Sequence, residues 1–330
     1  MKTLLTGYTA SDLWETGKHG KRSTAKWLEG DVTCHTLDVY HRHAIEKVHH
    51  LKAICSPHLP EGPWDLIKFR TGPKLMSGEL ALDVLQEIHA LAPDASLWGG
   101  KGGATKVELD FVGRERDRND LLDKIRKEPG RVRNFAAKWK ASVPGGQPVE
   151  FTSFPGCFCH RRLDEGGLAL AEVAARGMEG TGPLAVPHPC PGTLKVLDMG
   201  CGCGLVGLLL ASVKPGIELV MVDSHSRAVE AATLNAKAQG VEAEVILADN
   251  GTPERMDGTF DVFVGNPPYY SDYRIADVFL ETAQRALKPG GVCYTVCKNA
   301  AGLEPVQRRY FPEVEIVKRR GYAVLRSVRP

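Results

Sequence analysis

The sequence predicts an α/β protein built on mainly parallel sheets and arranged as two successive units. Three observations carry this. Short apolar runs alternate with longer stretches at helical spacing, the pattern of strands joined by crossover helices. The length of 330 residues exceeds the roughly 150–200 over which one core usually extends. Pro and Gly cluster at Val143-Pro144-Gly145-Gly146-Gln147-Pro148 without apolar periodicity, which marks this stretch as the linker.

The elements follow in order. Strands are expected at Lys2–Thr6, Val32–Leu37 and Trp64–Arg70, with a helix from Asp38 to His50 between the last two. Gly78–Leu91 reads as a helix because Leu80, Leu82, Val84, Leu85, Ile88 and Leu91 fall mostly on one side. Ala95–Trp98 reads as a further strand ending in the glycine run 99–103. After the linker come a strand at Val149–Ser153 and a helix at Gly167–Arg176. Residues 177–192, with four prolines, read as a surface insertion. Alternation is then regular: strands at 194–198, 217–222, 243–247, 260–264 and 290–297, helices at 205–212, 226–239 and 274–287, and two closing strands near 314–318 and 322–327. The halves share this rhythm. They read equally well as a duplication and as two unrelated α/β domains.

Composition excludes several classes. Hydrophobic content of 43% and charged content of 25% fit a globular chain, and a net charge of +2 confines any nucleic-acid contact to local patches. No apolar run approaches the ~20 residues a membrane-spanning helix needs, and the apolar part of Met1–Gly7 is too short for a signal peptide. A cytoplasmic location is expected. The nine cysteines include no Cys-x-x-Cys pair, so Cys157, Cys159, His160, Cys190, Cys201 and Cys203 read as small thiols at tight positions, with no metal expected.

Chemistry concentrates at three strand ends. Asp198-Met199-Gly200-Cys201-Gly202-Cys203-Gly204 closes an apolar strand in a glycine loop, where the backbone can turn tightly and approach a ligand. Asp223, with Ser224 after it, ends the next strand, where an acid accepts hydrogen bonds from two ribose hydroxyls. Asp249-Asn250 follows the third strand, within reach of an adenine ring. Asn266-Pro267-Pro268-Tyr269 follows the fourth. A planar amine has a delocalised lone pair and is a poor nucleophile. The Asn266 side-chain carbonyl and the Pro267 backbone carbonyl can accept its hydrogens, let it become tetrahedral as a methyl group arrives, and stabilise the developing charge. The prolines fix those carbonyls in advance, and Tyr269 offers a face for stacking. The opening strand of the first half is followed by no such triplet, only Gly7.

Residues 114–140 carry ten basic residues against five acids: Arg114, Arg116, Arg118, Lys124, Arg126, Lys127, Arg131, Arg133, Lys138 and Lys140, with Phe135 and Trp139 interleaved. Such a stretch reads either as an RNA-contacting surface or as a solvated helix with Trp139 as a core anchor. Arg161-Arg162 and Lys318-Arg319-Arg320 add charge in the second half.

Gly265–Tyr269 together with Asp198–Gly204 resembles the class I S-adenosyl-L-methionine-dependent methyltransferases of exocyclic amines. Phe154-Pro155-Gly156-Cys157-Phe158, then Leu163-Asp164-Glu165-Gly166-Gly167, narrows this to a resemblance to the bacterial ribosomal RNA guanine 2-amino methyltransferases of small-subunit type. Ala286–Gly291 and Gly321–Arg326 fit the same family. The resemblance implies two tandem Rossmann-like methyltransferase folds, the N-terminal one degenerate. Residues 1–145 would then be an emptied copy that positions RNA, and 148–330 the catalytic domain. It implies catalytic roles for Asn266, Pro267, Pro268 and Tyr269, and S-adenosyl-L-methionine held by Asp198, Gly200, Gly202, Gly204, Asp223, Ser224, Asp249, Asn250 and Asn266. The implied partner is ribosomal RNA or an assembling ribosomal subunit, met by a monomer away from any membrane. Tyr269-Tyr270 stands where this family often has Phe-His, Cys159 where it often has Ser, and the 177–192 insertion is unusual. Two kinds of enzyme share the tetrapeptide, protein glutamine methyltransferases and adenine 6-amino methyltransferases. A non-catalytic RNA-binding assembly factor is the remaining alternative.

Overall fold

The structure is a computed structural model that describes residues 1–16, 22–25, 28, 30–128, 131–179, 193–268 and 273–330. The chain divides into two compact units, Met1–Ala136 and Ala137–Pro330.

The first unit contains β1 (Lys2–Thr6), a 3-10 turn at Ala10–Leu13, a small ribbon of β2 (Trp14–Thr16) and β3 (Arg22–Thr24), β4 (Asp31–Thr36), α1 (Val39–His49), β5 (Lys52–Cys55), β6 (Leu66–Thr71), α2 (Gly78–Leu91), β7 (Lys106–Phe111) and α3 (Glu115–Arg126). Its five-stranded sheet runs β5-β4-β1-β6-β7, every pair parallel. Adjacent residues of β1 show why. Leu4 packs into the core with α2 and α3, and Leu5 into the opposite core with Val32 and Ile45. A strand buried on both faces needs helices on both faces. Asp38 starts α1 by accepting from the Tyr40 amide (2.8 Å), and Ser77 starts α2 by accepting from that of Leu80 (3.2 Å).

The second unit contains β8 (Ala137–Ala141), β9 (Val149–Ser153), α4 (Glu165–Met178), β10 (Lys195–Met199), α5 (Leu205–Val213), β11 (Glu218–Asp223), α6 (Ser226–Ala238), β12 (Ala243–Leu247), β13 (Phe260–Gly265), α7 (Arg274–Ala286), β14 (Leu287–Cys297), α8 (Ala300–Gln307), β15 (Glu315–Arg319) and β16 (Tyr322–Val328). Its seven-stranded sheet runs β12-β11-β10-β13-β14-β16-β15, and β16 alone runs opposite to the other six strands. The first five strands of each sheet, taken in chain order, are laid out third-second-first-fourth-fifth. Two Rossmann-like folds in tandem are therefore present. In each, the order reverses between the first and fourth strands, which opens a crevice at their carboxyl ends.

Several expectations change. Ala95–Trp98 is not a strand: Ser96–Trp98 form a 3-10 turn held by the Trp98 indole on the Ala92 carbonyl (3.0 Å). The fifth strand lies beyond the glycine run, at Lys106–Phe111. Four apolar residues carry too little periodicity to separate a turn from a strand. β5, β8 and α8 were not foreseen as separate elements, while α3 is the solvated helix offered for 114–140. Val143–Pro148 is the loop of the antiparallel β8–β9 hairpin, so the break between units comes earlier. Trp139 on this hairpin stacks on buried Phe151, with ring centroids 4.6 Å apart, which makes it an anchor. Of the proposed insertion, residues 180–192 lie outside the described residues, as do Tyr269 and Tyr270. Among the described residues no helix is long and apolar enough to cross a membrane.

One side chain joins the hairpin to the sheet. Buried Asn235 of α6 accepts from the Thr152 amide (2.8 Å) and donates to the Thr152 carbonyl (2.8 Å) and the Cys203 carbonyl (2.9 Å). Asn235→Ala strands several of these groups, each costing about 1–3 kcal/mol when buried and unmade. A loss of roughly 2–4 kcal/mol in denaturant unfolding is expected, and a loss within error of zero would remove Asn235 from this role.

Candidate active site

The carboxyl end of β10 faces the crevice of the second sheet. After Met199 the chain folds back, and the amides of Gly200 and Cys201 both donate to the Val222 carbonyl of β11 (2.8 and 3.0 Å). All three loop glycines have positive φ, but their surroundings differ. A Cβ on Gly200 would come within 2.7 Å of the Phe279 ring on α7, so this glycine serves packing. A Cβ on Gly202 would meet nothing within 4 Å. Gly202 therefore presents bare backbone to open space, where a ligand can approach.

Asp223, half-buried at the end of β11, fixes this loop. Its Oδ2 accepts from the Gly202 amide (2.8 Å) and its Oδ1 from the His225 amide at the start of α6 (2.9 Å). Each carboxylate oxygen has capacity for a second hydrogen bond. Ser224 occupies the bend between them. The Ala248 amide donates to the Asp223 carbonyl (3.0 Å), which leads half-buried Asp249 and exposed Asn250 out beside the same edge.

Asp198 differs from these. It is 2% exposed and lies beneath the loop, where its Oδ2 accepts from the Gly207 amide of α5 (2.8 Å). Burial pushes its pKa up to about 7, against the pull of that amide, and the charge of Asp223 adds to the rise. Its job in the structure is to hold α5 to the strand end.

β13 pairs with β10 through Met199 and Gly265, so Asn266 emerges next to Gly200. Gly265, like Gly200, makes room for Phe279, which a Cβ would approach to 2.9 Å. The Asn266 Nδ2 donates to Asp164 Oδ2 (2.9 Å). Pro267 is buried and Pro268 half-buried, while Tyr269 lies outside the described residues. The fold thus brings Gly200, Gly202, Gly204, Asp223 and Asn266 to one edge. Asp164 was read from sequence only as part of a family-like segment. Asp-x-Gly-Gly before an apolar helix signals a cap, but nothing in it signals a partner at Asn266.

Cys157 donates to the Arg227 carbonyl (3.4 Å), and Arg227 Nη1 donates to the Pro155 carbonyl (3.2 Å), interlocking the 154–160 loop with α6. Burial pushes the Cys157 thiol up to about 11 and that of Cys203 up to about 12, so both are neutral thiols. Among the described residues no group of three or more His, Cys, Asp and Glu could hold a metal ion.

The equivalent edge of the first sheet is filled. A Cβ on Gly7 would fall 2.1 Å from the Arg70 carbonyl, so the chain crosses hard against β6. Tyr8 is buried there. Arg70 pairs with Asp12 (3.1 Å) and Asp110 (2.6 Å), and His35 bridges Thr6 Oγ1 (3.0 Å) and the Ser56 carbonyl (2.9 Å).

The model of the methyltransferase small domain matches residues 148–326, more than half of the chain. The chain belongs to the methyltransferase small domain family. Ribosomal RNA small subunit methyltransferase C of Pseudoalteromonas translucida is 31% identical over 185 residues, 54% of this chain and 50% of that protein. The protein of the same name from Pseudomonas entomophila is 27% identical over 276 residues, 77% of this chain and 76% of that one. Ribosomal RNA large subunit methyltransferase G of Streptomyces avermitilis is 32% identical over 193 residues, 56% of this chain and 46% of that protein. The chain spans about half the length of the first and third of these relatives. Among solved structures, the Thermus thermophilus 16S rRNA N2 methyltransferase RsmC, in complex with AdoMet and guanosine, covers 100% of this chain at a TM-score of 0.72 and 19% identity, with 88% of that chain matched. That likeness is one of fold.

The raised pKa of Asp198 has a measurable sign. Between the ordinary carboxylate value near 4 and about 7, the folded state holds a proton that the unfolded state releases. This stabilisation is complete below the unfolded pKa and is lost as pH rises through 7. Unfolding free energies of the parent and of Asp198→Asn, compared from pH 5 to 8, should drift apart at the parent's expense by at most about 1.4 kcal/mol per pH unit and then level off. A difference that stays constant with pH would show that Asp198 is ionised throughout.

Proposed function

We propose that the second unit holds S-adenosyl-L-methionine along the carboxyl ends of β10, β11 and β12, and that the protein methylates the 2-amino group of a guanine in small-subunit ribosomal RNA. The observation that carries this reading is the position of Asn266-Pro267-Pro268 at the crevice, one strand away from the Gly202–Asp223 pair. The names of the two small-subunit methyltransferases above and the AdoMet and guanosine bound to the Thermus thermophilus protein support it.

The residues present fit this cofactor. Gly202 offers open backbone, Asp223 acceptors for ribose hydroxyls, and Asp249-Asn250 polar groups for the adenine. The cofactor supplies an electrophilic methyl group. The chain's own work is to position the acceptor and meet its charge. Asn266 Oδ1 and the Pro267 carbonyl accept the two amine hydrogens, which localises the lone pair on nitrogen and stabilises the positive charge as the bond forms. Pro267 and Pro268 hold that backbone rigid, and Tyr269 supplies a ring on which the guanine stacks.

The first unit, with its crevice filled, serves to position RNA as a monomer's second module in the cytoplasm. Its helix α3, with four basic and four acidic residues, is exposed on one face and lined with ion pairs, Arg114 with Asp117 and Lys127 with Asp123, and Arg131 beyond it pairs with Glu128. RNA phosphates would exchange with these weak surface partners. Exposed Arg161 and Arg162 add a second contact in the catalytic unit.

Incubating the purified full chain with labelled S-adenosylmethionine and small ribosomal subunits lacking this modification tests the reading. N2-methylguanosine is expected on nucleoside analysis; N6-methyladenosine, methylated glutamine or no transfer overturns it. Asn266→Ala should leave cofactor affinity nearly unchanged and lower turnover on the order of a hundredfold, the usual loss for one transition-state dipole. Asp223→Ala should instead weaken cofactor binding by roughly 1.5–3 kcal/mol in titration calorimetry. Equal cofactor affinity in the two variants would contradict this division of roles.

A further inference from the structure

We propose that Asp164 is a positioning residue for methyl transfer: its carboxylate decides which end of the Asn266 amide faces the acceptor. This rests on the reading of Asn266 given above. A carboxamide has a donor end and an acceptor end of almost the same shape, and either could point into the crevice. A carboxylate can only accept. With Asp164 Oδ2 at 2.9 Å from Asn266 Nδ2, the donor end is taken and Oδ1, on the other arm of the same planar group, is turned away from Asp164. That is the orientation in which Asn266 accepts from an amine. The opposite orientation would set N–H against N–H at the acceptor and oxygen against oxygen at Asp164.

Asp164 is itself fixed from two directions. Its Oδ1 accepts from the Gly166 amide (3.0 Å) as the N-cap of α4, and its backbone carbonyl accepts from the Leu168 amide (2.9 Å). Both oxygens therefore have separate tasks, one toward the helix and one toward Asn266. The two glycines that follow make this possible. A Cβ on Gly167 would stand 2.6 Å from Oδ2, the oxygen that meets Asn266, and one on Gly166 would stand 3.3 Å from Oδ1. Gly166-Gly167 in the first turn of a helix is costly in propensity, and the space these residues leave is the space the carboxylate occupies.

Three substitutions in the full chain test this, with turnover on small ribosomal subunits, cofactor affinity by calorimetry and thermal unfolding measured for each. Asp164→Asn keeps the cap, since Asn caps as well as Asp, but lets the amide of Asn266 turn over. Asp164→Ser also caps and is too short to reach Asn266. Both should unfold near the parent temperature, bind S-adenosylmethionine within about twofold of the parent, and lose turnover on the order of a hundredfold, as Asn266→Ala does. Combining Asp164→Asn with Asn266→Ala should cost no more than Asn266→Ala alone, because the two act as one unit. If Asn266→Ala loses turnover while both Asp164 variants keep it, this inference fails and the proposed function stands. Multiplying losses in the double variant would give Asp164 an independent role and also overturn it. Full turnover in Asn266→Ala would overturn the role of Asn266 and this inference with it.

Discussion

The hydrogen bond from the Gly202 amide to Asp223 is the constraint on which the second unit's site depends. It joins the loop of one strand to the end of the next, so it can form only if β10 and β11 lie parallel and in register. A shift of one residue would turn Asp223 to the other face of the sheet. The same carboxylate starts α6, which in turn carries Asn235 to the Cys203 carbonyl at the back of the loop. Loop, helix and hairpin are thus held by a few polar contacts around an apolar sheet. The bare face of Gly202 is left as the one loop glycine with open space before it.

The two units show what the same strand order does with different strand ends. Parallel sheets of this order leave a crevice where the order reverses, whatever the sequence. In the second unit small residues line it: Gly200 and Gly265 both yield to Phe279, which lets α7 pack closely and leaves the strand ends open. In the first unit, Tyr8, His35 and Arg70 stand at the corresponding ends and hydrogen-bond or pair with one another's neighbours across the strands. Polar groups already paired within the protein have less to offer a ligand. The two edges differ in the side chains that stand on them, while the strand order is the same.

Most of the second unit could be read from sequence because its strands are short continuous apolar runs and its helices end at marked turns. The strand at 243–247 fell where expected, as did the helix at Gly78–Leu91 in the first unit. The run Ala95–Trp98 misled because a buried tryptophan in a tight turn leaves the same apolar trace as a strand. Val143–Pro148 misled because a hairpin loop and a linker use the same residues. At the site, the glycines and acids could be placed on strand ends, but not separated by task. Whether a glycine faces Phe279 or open space depends on α7, about 75 residues further along the chain. Asp198 read as a ligand residue, and the structure puts its carboxylate inside. The pairing of Asp164 with Asn266 spans 102 residues of sequence and has no local signature.

Hydrogen exchange of the full chain with and without S-adenosylmethionine addresses the central claim, that one sheet edge is built to receive the cofactor and the other is closed. Added protection is expected across Met199–Gly207 and Asp223–Ser226, with Thr6–Leu13 and His35–Asp38 unchanged. Protection at Thr6–Leu13 in place of the glycine loop would contradict it.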